Sequence, residues 1–65
     1  MLKLLKLKTV TEITGISRSY IYALAQKNEF PKPVKLTERS SAWVESEVQE
    51  WIESRIAKRD WEVTL

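Results

Sequence analysis

The chain has no cysteine, no histidine and a single glycine among its 65 residues. It therefore lacks the thiol nucleophile, the commonest general base and the usual zinc ligands of proteins. We expect it not to be an enzyme, and we expect no metal site and no cofactor. The absence of cysteine also excludes a disulfide and is typical of proteins from a reducing cytoplasm.

Long hydrophobic runs are also missing, since no apolar segment approaches the roughly 20 residues that span a bilayer. No signal peptide is apparent. The leucine- and lysine-rich residues 2–7 look like the start of a cationic helix on a membrane surface, but they are too short for firm binding. We interpret them as an extended lead-in whose Leu5 and Leu7 pack beside the first helix. We expect no membrane partner and one small domain over residues 1–65.

Charge is low in total but unevenly distributed. The formal net charge is +2. Residues 1–39 carry eight Lys or Arg and three Glu, whereas residues 40–65 carry three basic and six acidic groups. A basic N-terminal part is suited to a polyanion, and an acidic C-terminal part is not.

Two short helices around the glycine are predicted for residues 9–28. Thr9 and Glu12 have the spacing of a capping box at a helix start. Gly15 suits the left-handed position that ends a helix, and Ser17 suits the cap of the next one. This order is typical of a helix-turn-helix that reads DNA.

The second of these helices has two different faces. Ile21, Leu24 and Ala25 share one face, which we expect to be buried. Ser19, Tyr22, Ala23 and Gln26 lie on the opposite face, with Arg18 in the first turn, where a recognition helix would contact base pairs.

A β-hairpin is predicted after this helix. Asn28 is a reasonable left-handed terminator, and the prolines at 31 and 33 prevent further helix. Residues 34–36 and 42–44 are predicted strands, joined by a polar loop at 37–41. The hairpin, or wing, thus covers about residues 33–44.

A third helix is predicted for about residues 45–58, with acidic residues in its first turn and Lys58 and Arg59 at its end, which suits the helix dipole. Its expected core stripe comprises Val48, Trp51, Ile52 and Ile56. Trp43, Trp51 and Ile52 are interpreted as core residues rather than as stacking platforms for unpaired bases. The tail at 60–65 alternates apolar and polar residues, which favours a short strand or a packed tail. The predicted fold class is mainly α with a small β-hairpin.

Three segments carry a resemblance to a known family: TGISRSYIY at 14–22, FPKPVKL at 30–36 and the Trp43–Ile52 segment. In this order and spacing they closely resemble the AlpA-like phage regulators. These are winged helix-turn-helix proteins related to the excisionase and MerR DNA-binding domains. The resemblance implies sequence-specific binding to double-stranded bacterial or prophage DNA and regulation of integrase-type genes, in the cytoplasm at the nucleoid. The alternative function is that of an excisionase, which binds attachment-site DNA.

The resemblance implies which residues contact DNA. Those of the recognition helix are Ser17, Arg18, Ser19, Tyr20, Tyr22, Ala23, Gln26 and Lys27. Those of the connector and wing are Lys32, Lys35 and Arg39, for which a solvated hairpin is the alternative.

Individual side chains have alternatives as well. Arg18 is suited to a guanine edge or a phosphate, and Gln26 to adenine, although both residue types are also common on solvated helix surfaces. Tyr22 is suited to a phosphate or a base, or else to covering the edge of the core with its hydroxyl in water.

Five residues depart from the family pattern. Ala23 stands where a basic residue is frequent, and Tyr20 replaces a usual small threonine. Asn28 occupies a frequent glycine position, and the wing tip carries Thr37-Glu38 where glycine is common. The base preference of the family is therefore not transferred to this chain.

A protein-interaction module is the rival function. In it, the acidic third helix or the tail binds integrase, RNA polymerase or a second copy. One recognition helix contacts too few base pairs to select a site in a genome. We therefore expect copies to bind side by side on repeated sites, through the tail or the contact of an acidic helix with a neighbouring wing. Because no long heptad pattern is present, we expect a monomer in solution.

Overall fold

The computed structural model describes residues 2–64, which form three helices and a small antiparallel sheet of three strands. The described part of the chain is mainly helical, as predicted. Its elements are β1 (Leu4–Leu5), α1 (Leu7–Thr14), α2 (Arg18–Gln26), β2 (Val34–Thr37), β3 (Ser40–Val44) and α3 (Glu45–Thr64).

Helix α1 begins at Leu7, so the predicted capping box at Thr9 and Glu12 is wrong. The cap residue is Lys6, whose extended backbone (φ −74°, ψ 159°) precedes the helix and whose side chain makes no capping bond. The strand just before it explains the earlier start. Because Leu5 pairs with Trp43 on β3, the chain must turn into the helix directly after the strand.

The turn between α1 and α2 follows the prediction. Gly15 adopts the left-handed conformation (φ 73°), and its N–H donates to the carbonyl of Thr11 at 2.8 Å. Ser17 caps α2, and its Oγ accepts a bond from the Tyr20 N–H at 3.3 Å. Three residues at 15–17 therefore separate the two helices.

The sheet has the strand order β1-β3-β2, with both pairs antiparallel. The pairing of β1 with β3 was not predicted. The loop between β2 and β3 contains only Glu38 and Arg39, because Thr37 already pairs with Ser40. The predicted five-residue loop at 37–41 is therefore too long. The register shifts between Lys35 and Thr37, which leaves one extra residue on β2.

The core lies where α1, α2, β3 and the start of α3 meet. Trp43 is completely buried, and Ile21, Leu24 and Ala25 form the buried face of α2, as predicted. No polar or charged residue is buried within the described part of the chain. The buried cluster consists of Leu5, Val10, Ile21, Leu24, Phe30, Trp43 and Val48. Leu7, Ile16, Trp51 and Ile52 are partly buried against it.

Helix α3 is longer than predicted and continues to Thr64. The prediction of a short strand at 60–65 is wrong for residues 60–64, which are helical, and residue 65 lies outside the described residues. Residues 53–64 contain no glycine or proline and are rich in helix-forming Glu, Arg, Lys and Ala, so nothing local ends the helix. Lys58 and Arg59 are consequently not in its last turn, although the acidic first turn with Glu45 and Glu47 is confirmed.

The predicted apolar stripe of α3 is only partly buried. Val48 is buried and Trp51 and Ile52 are half-buried, but Ile56 keeps 45% of its surface exposed. Trp61 is 65% exposed. The core cluster reaches Ile52, and beyond it Ile56 lines a groove with Ile13 of α1 without being buried.

Candidate nucleic-acid interface

The outer face of α2 is open to solvent along most of its length. Arg18 and Ser19 in the first turn are exposed, as are Tyr20 and Gln26. Helical spacing places Ser19, Tyr22 and Gln26 on one face of α2. The helix is short, at nine residues, so this face has a length of about 13 Å, from the rise of 1.5 Å per residue.

Three of the predicted recognition residues have further structural roles. The hydroxyl of Ser17 caps α2, so one of its acceptor positions is already used. Ala23 is half-buried, which limits what it offers at the surface. Lys27 is the C-cap residue of α2. Its exposed side chain lies at the C-terminal end of the helix, whereas Arg18 lies at the N-terminal end.

The connector between α2 and the hairpin is fixed by two tryptophans. The indole N–H of Trp43 donates to the carbonyl of Pro31 at 2.9 Å, and that of Trp51 donates to the carbonyl of Glu29 at 2.7 Å. Phe30 lies buried between these two bonds, edge-on to the Trp51 ring at 4.8 Å between centroids. The connector therefore holds the hairpin in a defined position relative to α2.

The connector begins with a sharp reversal at the end of α2. Asn28 has a φ of 61°, which confirms its predicted left-handed conformation. Asparagine tolerates this conformation better than other residues that carry a Cβ. The N–H of Glu29 donates back to the carbonyl of Leu24 at 2.9 Å, so the reversal is closed by backbone bonds.

One consequence of this arrangement is a shallow groove between α2 and the connector. It has a volume of about 400 Å³ and is lined by Tyr22, Ala25, Gln26, Lys32 and Pro33. Three of the residues predicted to contact DNA thus share one surface: Tyr22 and Gln26 of α2 and Lys32 of the connector. The groove offers an amide and an ammonium group, which suit a base edge and a phosphate respectively.

Tyr22 covers the edge of the core, which is one of the two roles that the sequence left open. Its ring packs against Trp43, with 5.7 Å between centroids and 59° between planes, and so covers the edge of the core. The side chain nevertheless remains 45% exposed. It lines the groove while resting on a buried residue, which restricts its position.

The hairpin carries the remaining predicted cations. Lys35 lies in the exposed strand β2, and Arg39 lies in the two-residue loop beside Glu38. The N–H of Arg39 donates to Thr37 Oγ1 at 3.3 Å, which orders the loop backbone. The side chains of Lys35, Glu38 and Arg39 are exposed, so they face solvent rather than the core.

A further cation near the hairpin tip was missed by the sequence analysis. Lys6 Nζ donates to Ser40 Oγ at 2.6 Å, which links the N-terminal cap of α1 to the start of β3. The pairing of β1 with β3 brings the two residues together across 34 positions of sequence. Residues 2–8 read LKLLKLK, in which Leu4-Leu5 interrupts the alternation, so no local signal identified this contact.

Two other kinds of site are absent from residues 2–64. No group of acidic, cysteine or histidine side chains in that range has the arrangement of a metal site. Within the same range, no helix is long and apolar enough to cross a bilayer.

Comparison with known proteins gives the family. Residues 3–56 match the family described as the prophage CP4-57 regulatory protein (AlpA). The chain belongs to the AlpA family. The AlpA match covers both helices of the helix pair, the connector and the hairpin, and it ends within α3. The family resemblance found in the sequence is therefore confirmed, and the family is a regulatory one.

A second comparison gives a relative in a phage. The "Uncharacterized protein ORF88" of Enterobacteria phage P4 is 44% identical to this AlpA-family chain over 57 residues, or 88% of the chain. The chain spans 65% of the length of that relative.

Proposed function

We propose that this AlpA-family chain is a phage- or prophage-encoded transcriptional regulator that binds duplex DNA as a winged helix-turn-helix domain. Helix α2 enters the major groove, and the β2–β3 hairpin acts as the wing on the phosphate backbone. Its targets are promoters of the integrase and excision genes. The groove in which Gln26 of α2 and Lys32 of the connector meet is the observation that carries this proposal.

The side chains of α2 and those of the connector and hairpin suit different tasks. Arg18 and Gln26 on α2 have the side chains that bond guanine and adenine edges in the major groove. Lys32, Lys35 and Arg39 are cations that bond phosphates of any sequence, and they fix orientation rather than specificity. The rigid connector keeps these two parts in a constant geometry.

The first experiment locates the DNA sites that the protein binds. A genome-wide footprint of the bound protein is expected to lie in promoters beside integrase-type genes. A footprint confined to the arms of an attachment site would instead identify an excisionase. No reproducible footprint, together with capture of integrase or polymerase, would favour a protein-interaction module.

The phosphate contacts are tested by a salt titration on that site. Because each phosphate contact releases counterions, Lys35→Ala and Arg39→Ala are each expected to lower the slope of log K against log salt by about one unit. Lys58→Ala is the matched control, since Lys58 lies on α3, outside the groove and the hairpin. Equal slopes for all three variants and the parent chain would contradict the placement of the hairpin on DNA.

A further inference from the structure

The groove between α2 and the connector combines two kinds of surface. Its polar groups are the amide of Gln26 and the ammonium of Lys32, and both side chains are exposed. Its apolar part consists of the rings of Tyr22 and Pro33 together with the buried Ala25. None of these five lining residues carries a carboxylate, so the groove contains no group that would repel a phosphate.

The apolar part of the groove is held in place by one buried indole. The ring of Tyr22 packs on Trp43 at 5.7 Å between centroids, and the Trp43 indole donates to the carbonyl of Pro31, two residues before Pro33. The backbone φ of Pro33 is fixed by its own ring. Because both rings are already ordered, little conformational entropy is lost when a ligand packs against them.

The amide of Gln26 distinguishes adenine from guanine. A glutamine amide offers one acceptor and two N–H donors. Adenine presents an acceptor (N7) and a donor (N6) in the major groove, so the amide can form both bonds at once. Guanine presents two acceptors there, and the amide oxygen would face one of them without a hydrogen. Gln26 is therefore suited to adenine.

The apolar part of the groove suits the other base of the same pair. Thymine carries a C5-methyl group in the major groove, on the edge where adenine presents N6 and N7, and cytosine has no such methyl. Tyr22 and Gln26 are four residues apart on α2, so they are neighbours on one helix face. Helix α2 thus presents an apolar ring beside an amide, as the edge of an A·T pair presents a methyl group beside adenine.

We propose that this groove recognises an A·T base pair, in which Gln26 bonds adenine while Tyr22 and Pro33 pack on the thymine methyl. The inference rests on the proposed function, in which α2 enters the major groove, and adds the identity of a base pair to it. Lys32 bonds a phosphate beside this pair. The rival occupant is guanine, because a lysine ammonium can also donate to the two guanine acceptors.

The methyl contact is tested with deoxyuridine, which lacks only the C5-methyl of thymidine. Each thymine of the footprinted DNA site is replaced singly, and fluorescence anisotropy of labelled duplexes gives the Kd of the full chain. One position is expected at which the Kd rises about fourfold, which is the effect of one buried methyl group. A site in which no thymine can be distinguished from uracil would overturn the inference.

The adenine contact is tested at the pair that contains the sensitive thymine. Replacing its adenine by 7-deazaadenine removes the N7 acceptor and keeps the base pairing. The Kd is expected to rise about fivefold or more, because the amide of Gln26 loses one of its two bonds. A G·C pair at this position that binds as tightly as the A·T pair would assign the groove to guanine through Lys32 and overturn the inference.

Variants of the protein assign each contact to its side chain. Gln26→Ala is expected to bind adenine and 7-deazaadenine duplexes alike while still preferring thymine to uracil, and Tyr22→Ala is expected to show the reverse. Tyr22→Phe keeps the ring on Trp43 and should keep the preference for thymine. Lys35→Ala is the matched control, since loss of a phosphate contact raises the Kd of all these duplexes by the same factor.

The outcomes separate this inference from the proposed function. A chain that binds no duplex would overturn both. Binding to the footprinted site that is indifferent to the methyl group and to N7, or a folded Tyr22→Ala variant with the full preference for thymine, would overturn this inference alone. Circular dichroism checks the fold of each variant. Because Gln26 is exposed, the adenine contact stays testable even if Tyr22→Ala does not fold.

Discussion

The three tryptophans separate the molecule into two differently stabilised regions. In the domain body, which we define as residues 4–52, Trp43 is completely buried and Trp51 is half-buried, and both donate to connector carbonyls. In the distal helix, residues 53–64 of α3, Trp61 is 65% exposed. The distal helix thus depends on local helix propensity, whereas the body depends on shared apolar burial.

The two regions also differ in what they offer to partners. The body carries all the proposed DNA contacts, on elements that tertiary bonds hold in place. The distal helix carries the exposed apolar side chains of Ile56 and Trp61. Substitutions in the two regions therefore distinguish effects on the core and on DNA binding from effects on the exposed distal helix.

The largest expected effect is that of Trp43→Ala. Removing a fully buried tryptophan leaves a cavity and an unpaired Pro31 carbonyl, so the free energy of unfolding should fall by about 3–5 kcal/mol. Urea denaturation followed by circular dichroism measures the change. A parent-like midpoint would contradict the assignment of this residue to the core.

Trp51→Ala should have a smaller effect, of about 2 kcal/mol, because the side chain is only half-buried. It removes the bond to Glu29 and the edge-on contact with Phe30. Trp51→Phe, which keeps an aromatic ring but not the donor, is the matched variant for the hydrogen bond alone. Denaturation of both variants locates the boundary between the body and the distal helix. An effect as large as that of Trp43→Ala would move the boundary between the body and the distal helix toward the C-terminus of α3.

Arg18→Ala should weaken binding to the specific DNA site by about 1–3 kcal/mol while leaving the fold intact. The reason is that its exposed guanidinium is proposed to bond a base edge and makes no contribution to the buried core. Fluorescence anisotropy on specific and unrelated duplexes measures the effect. Arg55→Ala on α3 is the control, and equal losses for both variants would remove Arg18 from the proposed interface.

Trp61→Ala is expected to have the smallest effect, within about 0.5 kcal/mol of the parent free energy of unfolding, as is usual for exposed surface positions. Urea denaturation followed by circular dichroism measures this change as well. A loss comparable to that of Trp51→Ala would show that the distal helix is packed against a partner under those conditions.

Local signals in the sequence correctly predicted three of the residues at helix ends. Gly15, Ser17 and Asn28 take the conformations that their side chains favour, and these preferences act within three or four residues. The buried face of α2 also followed from helical spacing. The candidate recognition face could be predicted for the same reason, since it is the opposite side of the same short helix.

Other features of the site depend on residues far apart in sequence. The capping box at Thr9 failed because β1 pairs with β3, which starts α1 at Leu7. The groove that joins Gln26 to Lys32 exists because the indoles of β3 and α3 fix the connector. Neither the pairing nor the indole bonds have a local signal.

The sequence by itself determined the order of the helices, the turn between α1 and α2, the uneven charge and the membership in a regulatory family. Only the tertiary structure decided where α1 begins, which tryptophans are buried and which part of α3 remains uncovered. The physical reason is range: caps and helix faces depend on neighbours within about one turn of helix. Burial depends on which distant elements reach the same place, and along α3 the buried and partly buried core extends as far as Ile52.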